Sequence, residues 1–277
     1  MGLSAAGTRR LNYQSRNGPE DVIMKIFRQL LVAAGLLALA ASSAIAYEPG
    51  TFILRGGVGT VAPSSKALSA SVEDEYFGEF GARIDVEDGT GMTLSGTYMI
   101  SQNWAFDVFG ALPMKHDIAF DFDAFGIPDV IEAGQVKGNL GDMKQMPPTL
   151  SFQYHFAPDR DFQPYMGLGL NWTTFSSVSY DPSKIKVDGV LMDAATQADF
   201  IDELGIDKMY IDDSFGVAAQ LGADWAIGDH TVVNFDVRYM DISSDLAFSG
   251  DTFDGKEKAG TLDIDPWIYS VNLGYRF

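Results

Sequence analysis

The chain has 277 residues, of which 19 are Lys or Arg and 38 are Asp or Glu, so its formal net charge is −19. Nucleic-acid binding needs Lys and Arg for contacts with phosphate, and this acidic balance argues against that class of partner. The chain contains no cysteine, which excludes a disulfide framework and thiolate metal ligands.

The N-terminal part of the chain predicts secretion. Lys25 and Arg28 follow a methionine and precede an apolar run over residues 30–41, and an Ala-x-Ala sequence ends at Ala46. These are the three parts of a cleavable signal peptide, and the apolar run is shorter than the roughly 20 residues that a transmembrane helix needs. We therefore expect three parts, namely a mis-assigned or dispensable extension over residues 1–23, a signal peptide over 24–46 and a mature domain over 47–277.

Eight segments of the mature domain alternate apolar and polar residues with a period of two, as strands with one apolar and one polar face do. The last segment shows this most clearly, because large apolar or aromatic residues occupy every odd position from Trp267 to Phe277. Each segment has roughly the 9 to 14 residues that a tilted strand needs to cross a bilayer. The predicted strands cover about residues 51–61, 92–100, 104–112, 148–156, 163–175, 214–225, 232–239 and 267–277.

Short and long connections alternate between these strands. The short ones, such as Ser101–Asn103, carry turn residues, whereas the long ones are rich in Asp and Gly, and the third contains helical spacing over residues 193–204. In an outer-membrane barrel the short turns lie on the periplasmic side and the long loops lie outside. The pattern predicts an all-β fold, an eight-stranded antiparallel up-and-down transmembrane β-barrel.

A soluble lipocalin-like barrel is the alternative architecture, and it would point its large apolar residues inward. The signal peptide, the terminal Phe277 and the tryptophans at the ends of the apolar faces favour the membrane barrel.

Six stretches, which follow one another along the mature domain, resemble the OmpW family of small outer-membrane barrels. They are Leu112–Ile118, Met146–Leu150 with Gln153–Phe156, Pro164–Thr173, Asp213–Gly216, Asn234–Tyr239, and Asp265–Trp267 leading into Gly274–Phe277. Two features depart from the family pattern: Pro113-Met114 stands where the family commonly has Pro-Phe, and the third loop is long.

The resemblance implies a narrow, hydrophobic passage that assists small hydrophobic molecules across the outer membrane of a Gram-negative bacterium, with exit through the barrel wall. It implies neither catalysis nor a cofactor. The ending with Tyr275 and Phe277 looks like the signal that the outer-membrane assembly machinery recognises. The expected partners are outer-membrane lipid, lipopolysaccharide, that machinery and small hydrophobic solutes.

The inward positions of the predicted strands differ between the two ends of the barrel. The interior of an eight-stranded barrel is only wide enough for side chains, so mixed charges there should pair and close the lumen toward the periplasm. The charged set near the periplasmic end is Arg55, Asp107, Asp224, Asp236, Arg238 and Arg276. The set nearer the outside is Phe109, Ala111, Phe175 and Met240. We expect these four residues to line a hydrophobic passage that is open above and blocked below; simple packing of the lumen is the alternative.

The three histidines do not indicate a metal site, because His116, His155 and His230 fall at different ends of the predicted barrel. His116 with Asp117 is the one constellation that could imitate a lipid-modifying surface enzyme. We predict no catalytic site, no metal site and no cofactor. The second alternative is a structural or surface-interaction barrel with acidic extracellular loops.

Overall fold

The computed structural model describes residues 47–64, 68–74, 78–124, 134–251 and 254–277. They belong to one compact unit, Ser42–Phe277; the other unit of the chain, Met1–Ala41, lies outside the described residues. The predicted extension over 1–23 and the predicted signal peptide over 24–46 therefore also lie outside them.

The described part of the chain contains sixteen strands and one helix. In chain order they are β1 (Phe52–Ala62), β2 (Leu68–Asp74), β3 (Gly78–Val86), β4 (Gly89–Met99), β5 (Trp104–Ala111), β6 (Met114–Ala124), β7 (Gly134–Met146), β8 (Thr149–His155), β9 (Phe162–Val187), β10 (Val190–Leu191), α1 (Ala194–Leu204), β11 (Lys208–Ile211), β12 (Ser214–Ile227), β13 (Thr231–Met240), β14 (Ser243–Ser249), β15 (Glu257–Asp263) and β16 (Trp267–Arg276).

Eight of these strands close a barrel. The strands β1, β4, β5, β8, β9, β12, β13 and β16 each pair antiparallel with the next in this series. The ring closes where β16 pairs with β1, from Ile53 opposite Arg276 to Ala62 opposite Trp267. The predicted eight-stranded antiparallel up-and-down barrel is confirmed, and closure satisfies the edges that an open sheet would expose.

The barrel strands turn their apolar side chains outward and their polar side chains inward. Leu168 is 68% exposed and Phe215 is 71% exposed on the outer face, whereas Gln153 and Asn171 are fully buried inside. This distribution suits a wall that faces lipid. Aromatic residues mark both borders of the apolar band, for example Trp104 and Tyr275 near the short turns and Trp172, Phe215 and Trp267 at the other border. Strand residues above that second border lie outside the membrane-spanning segments.

The long connections were expected to be loops, and this expectation is wrong for most of their described residues. One sheet continues from the barrel in the order β9-β7-β6-β3-β2, and a separate sheet has the order β11-β14-β15. We call the elements above the apolar band the cap: β2, β3, β6, β7, residues 174–187 of β9, β10, α1, β11, β14 and β15. The predicted helical stretch is confirmed as α1, which Asp193 caps by accepting from Ala195 N at 3.0 Å and Gly205 ends with a φ of 60°.

One reason for this error is visible in β9, which runs for 26 residues from the barrel into the cap. Ser177 and Lys184 adopt left-handed backbone conformations, with φ of 50° and 55°. Each shifts the alternation by one residue, so that Thr173, Pro182 and Ile185 are all buried. In β9 the inward-facing side chains therefore switch from odd to even positions and back again. Such a strand does not show a period of two over its whole length.

The two cap sheets pack around a hydrophobic cluster that also extends into the barrel. Its members in the cap include Ile118, Met143, Ile185 and Leu246, together with Phe200, which α1 inserts into the cluster. No helix among the described residues is long and apolar enough to span a membrane.

Candidate functional site

A network of charged side chains crosses the barrel interior in its periplasmic half. Arg55 on β1 donates to both carboxylate oxygens of Asp224 on β12, at 2.9 and 2.5 Å. Arg238 on β13 donates to Asp107 on β5 at 2.9 Å and to Asp236 at 2.6 Å. The five side chains are at most 3% exposed. Five of the six predicted charged residues thus meet at one level, because inward side chains of a narrow barrel converge on its axis.

Hydroxyl groups from three other parts of the chain complete this network. Each donates to one of its carboxylates: Tyr47 to Asp224 at 2.7 Å, Thr97 to Asp107 at 2.6 Å and Tyr165 to Asp236 at 2.8 Å. Sequence reasoning assigned these residues no role. Thr97 and Tyr165 occupy inward positions of predicted strands, so the alternation could have identified them, whereas Tyr47 precedes the first strand and no periodic signal includes it.

Arg276, the sixth predicted charged residue, contacts the periplasmic end of the barrel. Its guanidinium donates to the backbone carbonyl of Asp229, in the turn after β12, and lies 5.9 Å from the centroid of the Tyr47 ring. The Tyr47 ring is fully buried and also meets the His155 ring edge-on at 5.4 Å. Tyr47 therefore lies between the charged network and the periplasmic end.

Above the network the barrel interior is apolar. Phe109, Ala111 and Met240 are 2%, 5% and 0% exposed and belong to the hydrophobic cluster that continues into the cap. The Phe109 ring lies 4.1 Å from the Arg238 guanidinium, so this residue marks the boundary between the two zones. Phe175 is half-buried and packs against the same cluster.

We expected these four residues to line a passage that is open above; in the structure three of them are buried and Phe175 is half-buried, and the passage stays a prediction. Cap side chains cover three of them, because the cap strands continue the barrel upward and direct apolar residues into the space above the lumen. The described interior is therefore a packed apolar column that stands on a charged network.

The hydrogen-bond ladder of the wall is interrupted where β4 and β5 meet the cap. The β4–β5 ladder ends at Thr93 opposite Ala111, and the β3–β6 ladder ends at Val86 opposite Ile118. Between these two ladders, residues 88–91 lie beside residues 113–116. Within the described chain no ladder pair joins these two segments to each other. Pro113 contributes to this break because it has no backbone N–H.

Two inward side chains fill this break. A Cβ added to Gly89 would lie 2.5 Å from His116 Cε1, and one added to Gly91 would lie 2.8 Å from Met114 Cγ. His116 and Met114 are each 1% exposed, and His116 Nδ1 lies 2.8 Å from the carbonyl oxygen of Glu87. The glycines thus make room for side chains that close the wall from inside.

The burial of His116 also bears on the surface-enzyme alternative. Neighbouring strand residues point to opposite faces, so Asp117 points outward and is partly exposed while His116 points inward. Burial lowers the pKa of His116 from its usual value, against the raising effects of Glu87, Asp88 and Asp117. These two residues therefore do not form an acid–base pair on the outer surface.

The closed ring, the outward apolar band with aromatic borders and the polar interior together define a small outer-membrane β-barrel protein of Gram-negative type.

Comparison with known proteins identifies the family. The OmpW family model matches residues 48–277, and the chain belongs to this family, as the sequence motifs predicted. The chain is 29% identical over 248 residues to outer membrane protein W of Vibrio cholerae, covering 88% of this chain and 96% of that protein. Over 252 residues it is 29% identical to outer membrane protein W of Escherichia coli, covering 90% and 100%. The crystal structure of OprG from Pseudomonas aeruginosa superposes with a TM-score of 0.64 at 30% identity, covering 84% of this chain and 98% of OprG. The protein is thus an outer-membrane protein of Gram-negative bacteria.

Proposed function

We propose that this protein assists small hydrophobic molecules across the outer membrane, taking them up in the cap and releasing them sideways through the barrel wall. The observation that carries the proposal is the apolar cluster that extends from Phe200 in the cap to Phe109 and Met240 in the barrel. Such a column offers an apolar solute a route that avoids water.

The charged network supports sideways release, because it stands directly below the apolar column. An apolar molecule passing Arg55, Asp107 and Arg238 would have to separate buried ion pairs, and leaving a buried charge unpaired costs several kcal/mol, about 3–5 by analogy with broken pairs in other proteins. We infer that this network closes the lumen toward the periplasm.

The interrupted ladder at residues 88–91 and 113–116 is the exit in this proposal. No ladder hydrogen bond joins these two segments, so the wall opens at the upper border of the apolar band when the Met114 and His116 side chains rotate and the contact of His116 Nδ1 with Glu87 O is lost. Met114 is suited to this role because its unbranched thioether side chain adapts to different packing at low cost.

Substitution of Met240 tests the route. Met240→Gln places an amide of similar length in the apolar column, and we expect uptake of n-octane to fall about tenfold, because an octane molecule that passes covers the amide at a cost on the order of 1–3 kcal/mol. Uptake is measured in cells whose outer membrane contains the variant or the natural protein, with a polyol of similar size as the polar probe. The polyol should enter at the same rate in both.

Met99→Gln is the matched control, because Met99 is also fully buried but packs with Tyr47, Ile53 and Val232 at the periplasmic end. Sideways release predicts unchanged octane uptake for this variant. A loss equal to that of Met240→Gln would indicate passage along the whole lumen and contradict a lateral exit.

A structural or surface-interaction barrel is the second candidate, and the complete burial of Met240 favours it. This reading predicts that neither the natural protein nor any variant accelerates octane uptake. Its acidic groups lie on a cap built of paired strands rather than on the loops that we expected.

A further inference from the structure

A titratable side chain lies at the interruption of the wall between residues 88–91 and 113–116. His116 is 1% exposed and points to the inside of the wall. Its inward neighbours along β6 are Met114 and Ile118, and Met143 lies directly opposite it on β7. These three side chains are at most 1% exposed and belong to the hydrophobic cluster. The imidazole is therefore held in an apolar setting.

The two ring nitrogens of His116 have different surroundings. Nδ1 lies 2.8 Å from the carbonyl oxygen of Glu87, and because a carbonyl oxygen only accepts, Nδ1 carries the proton of the neutral ring. Nε2 is buried and has no hydrogen-bond partner among the described residues. Gln145, the diagonal inward neighbour on β7, does not supply one, because its own buried amide is also without a partner.

This setting accepts the neutral ring and disfavours the charged one. Protonation of His116 would add a second N–H, at Nε2, and a full positive charge on the inside of the wall. A buried charge without an acceptor is far more costly than a buried neutral group. The imidazolium form of His116 therefore favours any arrangement in which the ring leaves the interior.

The charged groups around His116 lie on the outer side of the wall, where each is at least partly exposed. They are four carboxylates and two ammonium groups: Glu87 and Asp88 between β3 and β4, Lys115 and Asp117 on β6, and Asp142 and Lys144 on β7. Lys115 already pairs with Asp117 at 3.6 Å and with Asp142 at 3.4 Å. The remaining surplus is negative, so an imidazolium that turns outward meets water and carboxylates.

The backbone beside His116 leaves room for such a turn. A Cβ added to Gly89 would lie 2.5 Å from Cε1 and 2.8 Å from Nε2 of His116, so the ring lies directly against the facing segment where that segment has no side chain. No ladder pair joins the two segments within the described chain. Outward rotation costs the contact of Nδ1 with Glu87 O and the packing against the apolar neighbours.

We propose that His116 is a pH-sensitive gate of the lateral exit: protonation of its imidazole turns the side chain out of the wall and opens the interruption toward lipid. As regulation of the exit, the gate rests on the proposed function. The pH-dependent movement itself stands on the geometry of His116.

The direction of the pH dependence follows from the two arrangements. In the closed wall, burial lowers the pKa of His116, against the raising effects of the Glu87 carbonyl, Asp88 and Asp117. A histidine in water has a pKa of about 6.5. As the pH falls below that value, the open arrangement takes up a proton before the closed one does, and the open fraction rises. At neutral and higher pH the wall stays closed.

The test measures whether lipid reaches the inside of the wall when the medium is acidified. The protein, with ¹³C-labelled methionine methyl groups, is placed in nanodiscs that contain a lipid with a nitroxide near its headgroup. Broadening of the Met114 methyl signal is recorded at about pH 7.5 and about pH 5, on either side of the histidine range. We expect it to increase severalfold on acidification. The methyl signal of Met99, which is buried at the periplasmic end, is the internal control and should not change.

Two variants that cannot be protonated at this position isolate His116. His116→Asn keeps a donor for the Glu87 carbonyl, and His116→Phe keeps a ring; in each, Met114 broadening should be the same at both pH values. The matched control is His230→Phe, because the His230 ring stacks on Tyr275 at 5.3 Å at the periplasmic end. This variant should respond to pH as the natural protein does. A response that persists in the two His116 variants, or no response in the natural protein, would overturn the gate.

Octane uptake at the same two pH values separates the gate from the transport route. The gate and the route together predict faster uptake at the lower pH for the natural protein and pH-independent uptake for the His116 variants. A pH-dependent Met114 signal without any octane uptake would contradict the proposed function and retain the movement of His116. Octane uptake with a Met114 signal that ignores pH would overturn the gate and retain the route.

Discussion

At the scale of single residues, the charged network depends on side chains that serve several partners. Asp224 accepts from Arg55 twice, from Tyr47 and from Asn234, the last at 2.9 Å. All three partners come from other parts of the chain than β12. Their convergence gives one carboxylate a large share in holding opposite sides of the barrel together.

Asp224→Ala should therefore lower the free energy of unfolding by about 3–5 kcal/mol, because it leaves the Arg55 charge buried and without its bidentate partner. Urea unfolding of the protein in lipid vesicles measures this change. The control is Asp121→Asn, which breaks a partly exposed pair with Lys137 in the cap, worth at most about 1 kcal/mol. Similar losses in the two variants would show that the network contributes no more than a surface pair.

At the scale of secondary structure elements, β9 connects the membrane barrel with the cap. Its lower part pairs with β8 and β12, and its upper part pairs with β7 through several register shifts. At Ser177 and Lys184, whose backbones are left-handed, the inward-facing side chains of this strand switch between odd and even positions. Neither is glycine, so the local backbone conformation is held by the surrounding pairing.

Ser177→Val should destabilise the protein by about 1–2 kcal/mol, because a β-branched residue is disfavoured at positive φ. The side chain of Ser177 is exposed, so the loss reports on the backbone rather than on packing. Ser176→Val is the matched control at the neighbouring exposed position, where φ is not positive, and it should change stability little. Thermal or urea unfolding distinguishes the two variants, and equal effects would contradict strain at Ser177.

At the scale of the whole molecule, the C-terminal strand completes the barrel. Phe277 N donates to the carbonyl of Phe52 at 2.9 Å, and the Phe277 ring lies on the outer face next to Tyr275 and Phe52. Phe277 therefore extends the pairing between the first and last strands of the barrel. We propose that Tyr275 and Phe277 also serve as the signal for the assembly machinery.

Phe277→Ala should slow insertion by the purified assembly machinery in proteoliposomes severalfold, while unassisted folding in detergent changes little. Phe52→Ala is the control, because it removes a neighbouring outward aromatic ring that is not part of the terminal motif. The rate of appearance of the folded, heat-modifiable form on gels measures insertion. Equal slowing of both variants would assign the effect to packing where β1 pairs with β16.

The sequence by itself determined the barrel, its family and the inward position of the charged residues. These follow from local rules. Alternation in strands such as Trp267–Arg276 assigns each residue to one face of the sheet. Because lipid surrounds the barrel, the apolar face points outward and the polar face points inward, opposite to a soluble barrel. The same rule identified Phe109 and Met240 as inward and apolar.

Only the tertiary structure decided what those residues meet. The pairs of Arg55 with Asp224 and of Arg238 with Asp107 join residues 169 and 131 positions apart, and no local pattern encodes which inward charges converge. The upper part of β9 could not be read as a strand, because Ser177 and Lys184 shift its alternation, and β11, β14 and β15 are short. The strand β6 differs, because it alternates from Met114 to Phe122, and we missed that signal in the sequence. The contact between β9 and β11 exists only where two separately paired sheets approach each other, which is a property of packing and not of sequence period.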